Sequence, residues 1–158
     1  VLQEHPEWSV IALCCDNHGI AVSMEEKVEI GCALIEEAEK YGVMPERIHI
    51  DPLVLALSAV NTAAVSFCDA VRKLKEKFPS VHITAALSNV SYGMPVRRIV
   101  NQNFLTLAME AGLDSVIADP LRREIIETIY AAEALLGKDR LCRKYNSAYR
   151  AGKIGPVK

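Results

Sequence analysis

Residues 81–98 read VHITAALSNVSYGMPVRR and carry the most information about the fold. The stretch begins with an apolar run typical of a short buried strand and continues into a loop with glycine and proline. A helical pattern starts near Arg97. Ser88 and Asn89 follow the strand directly, so neutral hydrogen-bonding groups are expected at its carboxyl end, where α/β sheets hold their active sites.

The polar residues of this stretch have a functional and a structural interpretation. An asparagine side chain offers both a donor and an acceptor, so Asn89 can contact a heterocyclic ring in either protonation state. Serine and asparagine also favour turns, which leaves a purely structural role for Ser88 and Asn89 open. Arg97 and Arg98 begin a helix, where positive charge is unfavourable. Either a ligand or carboxylate partner, or simple solvation, accounts for these two arginines.

The strand-then-helix pattern recurs along the chain and predicts the architecture. Four apolar runs begin 39, 33 and 34 positions apart, at residues 9–15, 48–53, 81–87 and 115–118. Alternation at this spacing predicts βα units around a parallel sheet. A complete (β/α)8 barrel takes about 250 residues, so 158 residues correspond to about half a barrel or to a small open sheet. We favour the half barrel, because no glycine-rich phosphate loop follows any strand.

Apolar periodicity predicts five helices, at residues 24–41, 61–78, 102–111, 121–136 and 139–151. Ser23 and Glu26 form a capping-box pattern at the start of the first helix. Lys27 falls among glutamates and is expected on the solvent face of that helix. Val65 is expected on the apolar stripe of the second helix.

Bulk composition excludes several classes of protein. A formal net charge of −2 and a pI near 6.1, without a basic stripe, argue against nucleic-acid binding. No apolar stretch approaches the roughly 18 residues needed to span a membrane. Five cysteines without a C-x-x-C pair predict reduced thiols in a cytoplasmic protein. The first six residues lack the features of a signal peptide and an initiator methionine, so we expect a processed or truncated chain.

Two aspartates, Asp51 and Asp119, each end a predicted strand and are each followed by Pro-Leu. Strand alternation places His49 and Asp51 on one face. The Asp51 carboxylate is suited either to accept hydrogen bonds from an amino-pyrimidinone ring or to cap the following loop. For Asp119 we favour the structural interpretation, an N-cap with Pro120 at the first helical position.

No metal site and no cysteine nucleophile are expected. Asp16 and His18 resemble the start of the cobalamin-ligating pattern D-x-H-x-x-G, but the position five after Asp16 is Ala21. A turn is therefore expected there. The four histidines are scattered without metal-ligand spacing, and neither Cys14 nor Cys15 has an obvious neighbouring base.

Several motifs in one order carry a resemblance to a known family. They are IDPLVL at residues 50–55, LSNVS at 87–91 with Pro95 and Arg97, and MEAGLD at 109–114. The pattern resembles the methyltetrahydrofolate:corrinoid methyltransferases, pterin-binding enzymes akin to the folate module of cobalamin-dependent methionine synthase. The resemblance covers residues 9–149.

The resemblance implies a TIM barrel whose last four strands are present here. Residues 1–152 are then the C-terminal half of a pterin-binding barrel domain, with four strands and an extra C-terminal helix, and residues 153–158 form a flexible tail. The Asp and Asn that hold the pterin on the family's earlier strands are absent, so these residues alone are expected to be inactive.

The resemblance also assigns roles at the site. Asp51 binds the N–H groups of the pterin, and Asn89 is the catalytic residue, hydrogen-bonding near N5 of the folate. Ser88 lines the same wall, and Arg97 helps to hold the folate or its tail. Asp16 stands where the family often has Asn. Methyltetrahydrofolate is the substrate, no cofactor is tightly bound, and the corrinoid (cobalamin) is carried by a partner protein.

The implied reaction moves the N5 methyl group of 5-methyltetrahydrofolate to the Co(I) of a corrinoid. One alternative is an enzyme like dihydropteroate synthase, which needs a basic site for pyrophosphate that only Arg97 and Arg98 could supply. Another is a non-catalytic pterin-binding or interaction fragment. A half barrel exposes two unpaired strand edges, so we expect its missing half or a homodimer.

Overall fold

The computed structural model describes residues 4, 5 and 7–156. The expectation for the first six residues and that for the end of the tail therefore fall partly outside the described residues. In chain order the elements are β1 (Val10–Leu13), β2 (Cys15–Asp16), β3 (Gly19–Ile20), α1 (Met24–Lys40), β4 (Ile48–Asp51), α2 (Ala63–Lys77), β5 (His82–Ile83), α3 (Arg97–Ala111), α4 (Arg123–Leu135) and α5 (Arg143–Arg150).

A parallel sheet in the order β1–β4–β5 forms the centre of the fold. Leu13 pairs with Asp51, and His49 pairs with His82. An isolated parallel bridge between Ala86 and Ile117 continues the pairing beyond β5. The predicted α/β class with parallel strands is confirmed. The regular strands are shorter than predicted, because beyond His82–Ile83 the pairing survives only as this bridge before a 3-10 turn, Leu87–Ser91, ends the run.

The helices pack against one face of this sheet. Ile48, Ile50 and Ile83 point into that face and are almost fully buried. Behind them, the rings of Phe67 on α2 and Phe104 on α3 meet edge to face, with centroids 5.4 Å apart. This single layer of helices supplies the buried core.

The opposite face of the sheet is largely uncovered. Ile11 and Leu13 of β1 are 56% and 46% exposed, and Ile117 is 55% exposed. The histidine rings of His49 and His82 stack on the same face, with centroids 4.8 Å apart. An apolar sheet face left open is unusual, since one layer of helices normally covers each apolar face of a parallel sheet.

The start of α1 matches the predicted capping box. The Ser23 hydroxyl accepts a hydrogen bond from the Glu26 N–H, and the Glu26 carboxylate accepts one from the Ser23 N–H at 3.0 Å. The helix begins at Met24, as predicted, and ends one residue early. Behind it, Gly31 faces α2 so closely that a Cβ there would meet a methyl carbon of Leu74 at 3.0 Å.

Two predicted helix positions are wrong. Lys27 is 1% exposed rather than on the solvent face, because it shares an i, i+4 row with the buried Gly31 and Ile35. Val65 is 63% exposed, while Phe67 is fully buried. Two positions correspond to about 200° around a helix, so these two side chains point in opposite directions.

The C-terminal helices begin later than predicted. The Asp119 carboxylate accepts the Leu121 N–H at 2.9 Å in a turn that precedes α4, so its predicted role as the N-cap of that helix is wrong. The carboxylate of Asp139 accepts the N–H groups of Lys144 and Tyr145 and thereby holds the first turn of α5. Each aspartate accepts hydrogen bonds from nearby free backbone N–H groups, and the helix begins several residues later than the aspartate.

Residues 153–156 return to α4. Ile154 is 4% exposed, and the Gly155 N–H donates to the Glu127 carboxylate at 3.0 Å. The flexibility of residues 153–158 stays a prediction. Across the described residues, no helix combines the length and apolar character needed to cross a bilayer.

Candidate functional site

The strand β4 ends in a buried carboxylate. Asp51 is 2% exposed, and its Oδ1 accepts the N–H of Leu53 at 2.8 Å. The loop-capping interpretation of Asp51 is therefore confirmed in the chain as described. Burial raises the pKa of Asp51, while hydrogen bonds from the Leu53 and Ala86 backbones and the charge of Lys27 act in the opposite direction.

The ammonium group near Asp51 comes from Lys27, which the sequence interpretation missed. Its Nζ donates to the carbonyl oxygens of Ala21, Pro52 and Leu53, each at 2.7 Å. All three N–H bonds of the ammonium are thus used, as a buried charge requires. Burial lowers the pKa of Lys27. The i, i+4 spacing of Lys27, Gly31 and Ile35 was a signal available in the sequence.

Leu53 is held in an unfavourable conformation between these two charges. Its φ of 54° lies in the left-handed region, which is costly for a residue with a branched side chain. The Asp51 carboxylate binds its N–H, and the Lys27 ammonium binds its carbonyl oxygen. The same pair of charges therefore fixes the backbone directly after the strand, and strain of this kind is often found at functional sites.

Cys14 lies against this arrangement but is not reactive. Its N–H donates to the Asp51 carbonyl oxygen at 2.9 Å, and its side chain is fully buried. Burial raises the pKa of its thiol to about 12. A thiolate nucleophile at this position is accordingly excluded.

Ser88 and Asn89 lie in the 3-10 turn Leu87–Ser91, and both are exposed. Within the described part of the chain, neither side chain makes a hydrogen bond, so the Asn89 amide is available to a ligand. The Leu57 N–H donates to the Val90 carbonyl oxygen at 2.9 Å, which ties the loop after β4 to this turn. Asp51 ends β4 and Asn89 follows β5, so both residues lie at the carboxyl end of the parallel sheet, on neighbouring strands.

Arg97 braces the turn that carries these residues. Its Nε donates to the Ser91 hydroxyl at 3.0 Å, and its Nη2 donates to the Ser88 carbonyl oxygen at 2.6 Å. Its guanidinium carbon lies 6.0 Å from the centre of the Tyr92 ring. Within residues 7–156, Arg97 has no carboxylate partner, so the structure gives it a positioning role at the turn.

A cavity of about 290 Å³ opens beside the turn. It is lined by Arg97, Arg98 and Asn101 of α3 and by polar residues of two further segments, namely Ser88 in the turn before α3 and Asp119 and Arg122 before α4. The Oδ1 of Asn101 is buried and has no hydrogen-bond partner in the described residues, so it is ready to accept a bond from a ligand. Asp51 and Asn89 do not line this cavity.

No set of three His, Cys, Asp or Glu side chains in the described residues is arranged to hold a metal ion. The hairpin of β2 and β3 contains the residues that resemble a cobalamin ligand motif. There the Asp16 carboxylate accepts the His18 N–H at 2.7 Å, which is the expected turn. The site is therefore composed of amide, carboxylate and arginine groups.

Comparison with known proteins places these residues in a wider context. The family profile described as "Pterin binding enzyme" matches residues 15–119, which include Asp51, Ser88, Asn89 and Arg97. The methylcorrinoid:tetrahydrofolate methyltransferase of Eubacterium limosum is 49% identical over 152 residues, covering 96% of this chain and 56% of that protein.

More distant similarity extends to a second group of proteins. The methionine synthases of Mycobacterium leprae (strain TN) and Mycobacterium tuberculosis (strain ATCC 25618 / H37Rv) are 36% and 35% identical over 116 residues. Each match covers 69% of this chain and 10% of the synthase. The chain thus spans about half the length of the E. limosum relative and a small part of the synthases.

Proposed function

Because this chain belongs to the family of pterin-binding enzymes, we propose that it contributes half of an enzyme that moves a methyl group between N5 of tetrahydrofolate and the cobalt of a corrinoid. The observation that carries the proposal is the exposed, unbonded amide of Asn89 at the same sheet edge as Asp51. The name of the E. limosum relative gives the same pair of methyl carriers.

The direction of transfer does not change the site that is required. The sequence predicts transfer from methyltetrahydrofolate to Co(I), whereas the name of the E. limosum relative gives methylcorrinoid first. The forward and reverse reactions pass through one transition state, so the same groups serve both. With folate as donor, N5 takes a proton from solvent, the cobalt electron pair attacks the methyl carbon, and the C–N bonding pair stays on N5, which keeps the proton.

In this proposal Asn89 acts on the nitrogen that releases the methyl group. A tertiary amine is a poor leaving group until protonation or strong hydrogen bonding gives N5 positive character. The carbonyl oxygen of the Asn89 amide accepts the N5–H bond and stabilises that charge. A preorganised dipole of this kind lowers the activation barrier by on the order of 3 kcal/mol.

Asp51 holds the other end of the ring system. An ionised carboxylate accepts the paired N–H groups of an amino-pyrimidinone, and these charge-assisted bonds fix the orientation of the ring. Lys27 favours the ionised form, since its charge lowers the pKa of Asp51 against the effect of burial. Ser88 and Arg97 complete the wall and hold the Leu87–Ser91 turn in place.

The uncovered sheet face supports a barrel as the complete fold. Helices cover only one face of the sheet, while Ile11, Leu13 and Ile117 on the other are exposed. The E. limosum relative is almost twice as long as the matched segment. We infer that the open face is the interior of a TIM barrel, completed by a second set of strands in a homodimeric, cytoplasmic enzyme.

Replacement of Asn89 tests the catalytic role. In the complete enzyme, Asn89→Ala should lower kcat about 100-fold while changing the dissociation constant of folate far less, because the amide acts mainly on charge that develops in the transition state. Turnover is measured with methyltetrahydrofolate and a reduced corrinoid protein, and binding by calorimetry. Asn146→Ala on α5 is the matched control.

Two outcomes contradict this assignment. If folate binding falls by the same factor as kcat, Asn89 is a binding residue only. The methyltransferase proposal fails if the unmodified enzyme demethylates methyltetrahydrofolate in the absence of a corrinoid. It also fails if no corrinoid supports demethylation. A complete enzyme that binds pterin but turns over with no corrinoid would instead support the non-catalytic alternative.

A further inference from the structure

The end of the chain differs sharply in charge from the rest. Residues 138–158 contain seven lysines and arginines and one acidic residue, whereas the first 137 residues contain eleven basic and nineteen acidic residues. The overall net charge of −2 conceals this division. The expected lack of a basic stripe therefore holds for the first 137 residues but not for the end of the chain.

Most cations in the preceding part of the chain have an acidic partner. Arg72 pairs with Glu110, Lys75 with Asp114, and Arg123 with Glu127. In the described part of the C-terminal segment, the only ion pair joins Lys144 to Glu133. The other cations there are exposed and have no ion pair within residues 138–156, namely Lys138, Arg140, Arg143, Arg150 and Lys153.

The local acidic residue is already engaged. Both carboxylate oxygens of Asp139 accept backbone N–H groups at the start of α5, and this side chain is nearly buried. Its single negative charge faces six described cations in this segment, so most of the positive charge stays uncompensated. A surface with uncompensated charge of one sign attracts a partner of the opposite sign.

The folding of α5 brings the end of this basic segment, with Arg150 and Lys153, to the edge of the candidate site. Lys144 near the start of α5 pairs with Glu133 near the end of α4, so the two helices run in opposite directions. At the far end, Arg123 at the start of α4 donates to the Gly152 carbonyl oxygen at 3.1 Å. The next residues along the rim, Arg122 and Glu124, line the cavity beside Ser88.

The same surface also contains aromatic groups suited to an interface. Tyr145 and Tyr149 are 39% and 59% exposed. Tyr149 and Arg150 line a groove of about 600 Å³ together with Arg123. Tyrosine and arginine are enriched at the centres of protein–protein interfaces, where they supply much of the binding energy.

We propose that this basic surface, defined as Arg140, Arg143, Tyr149, Arg150 and Lys153, docks an acidic face of the protein that carries the corrinoid. The inference rests on the proposed function, since methyl transfer requires cobalt to reach the sheet edge that carries Asn89. A carrier approaching that edge meets the rim where α5 ends. A long polyanion such as nucleic acid fits less well, because the remaining surface is acidic.

Charge reversal provides the test. In the complete enzyme, the triple variant Arg143→Glu, Arg150→Glu, Lys153→Glu should lower kcat/KM for the corrinoid protein about tenfold or more at low salt, because steering and docking are lost. The difference should shrink as salt is added. With free cobalamin as the methyl carrier, kcat/KM should stay within about twofold, since no protein surface is docked.

A matched control changes the same charge elsewhere. Lys40→Glu, Lys73→Glu and Lys77→Glu together reverse three exposed cations on α1 and α2 and should leave kcat/KM for both carriers unchanged. Circular dichroism and the melting temperature establish that each variant is folded. Equal loss with both carriers, or equal loss in the control, would overturn the docking surface.

Direct binding separates this inference from the methyltransferase assignment. The affinity of the corrinoid protein for the unmodified and charge-reversed enzymes is measured by biolayer interferometry, without turnover. If binding is weakened by the reversal but no methyl transfer occurs with any corrinoid, the docking surface stands and the proposed reaction fails. If binding is unchanged by the reversal, the docking surface is wrong whatever the activity.

Discussion

At the scale of single residues, Lys27 determines how the end of β4 is built. One ammonium group replaces water for three carbonyl oxygens, two of which belong to consecutive residues after the strand. Its sequence neighbours Glu25 and Glu26 are exposed, so the charged composition of this turn does not reveal that Lys27 is buried. A single buried cation thus links the start of α1 to the loop that follows Asp51.

Removal of this cation should destabilise the fold. Lys27→Met keeps most of the side-chain volume but leaves the carbonyl groups of Ala21, Pro52 and Leu53 without a donor. We expect a loss of about 3 kcal/mol in the free energy of unfolding, measured by urea denaturation. Lys73→Met removes an exposed ion pair and should cost less than about 1 kcal/mol. A loss no larger than that of the control would show that water replaces the ammonium group.

The same substitution should change the pH dependence of folate binding. Burial raises the pKa of Asp51, and the Lys27 charge opposes this effect. The ionised carboxylate binds the pterin N–H groups, so binding is lost as the pH falls through the pKa of Asp51. In Lys27→Met of the complete enzyme, the midpoint of this loss should move to higher pH.

Fluorescence titration of folate binding across the acid range measures that midpoint. Lys73→Met, with the same loss of charge at an exposed site, should retain the wild-type midpoint. An identical midpoint in Lys27→Met would mean that the ammonium group holds the loop without influencing Asp51.

At the scale of secondary structure elements, the capping box of α1 gives a second pH-dependent contribution. Hydrogen bonds from the Ser23 and Val22 N–H groups lower the pKa of Glu26 below its usual 4.5. The ionised form is therefore favoured in the folded state. Its contribution is fully present above pH 4.5 and is lost as the pH falls through the lowered pKa.

Glu26→Ala should accordingly lower the melting temperature at neutral pH by more than it does in acid. The difference in melting temperature between wild type and variant should decrease as the pH falls below 4.5. Glu25→Ala, in the same turn but outside the box, is the control and should show a smaller gap at neutral pH. A gap that is independent of pH would show that the carboxylate charge is not involved.

The elements also show what could be predicted from the sequence. The parallel sheet, the capping box and the bounds of α1 and α2 follow from local periodicity and local hydrogen bonds, and these were predicted closely. The row that Lys27 shares with Gly31 and Ile35 indicates its burial, but the carbonyl groups that bind its ammonium lie 25 and 26 positions away, which no local pattern contains. Ser88 and Asn89 were identified as polar groups after a strand, but the bracing of their turn by Arg97 required the structure.

At the scale of the whole molecule, the open sheet face governs how the chain behaves alone. Ile11 and Leu13 expose apolar surface next to an unpaired strand edge, a combination that favours association. We expect the 158-residue chain to form dimers or larger species in analytical ultracentrifugation. Ile11→Glu with Leu13→Glu should shift it towards monomer.

Leu135→Glu provides the control for that experiment. This residue is 79% exposed at the end of α4, away from the open face, so its replacement should leave the association unchanged. A folded monomer of the unmodified chain at high concentration would contradict the prediction. It would mean that the open face is stable in water without a cover.

The two outer strands of the sheet differ in length, and this difference affects how a barrel would be completed. β1 offers four consecutive residues to an incoming strand, whereas the opposite border rests on the single Ala86–Ile117 bridge. An incoming strand gains more backbone hydrogen bonds along β1, so strand pairing should start there. The seam, meaning the junction between Ile117 and the last added strand, should form last. That late seam adjoins the Ser88 cavity, so the wall of this cavity should be the last part of the cylinder to be completed.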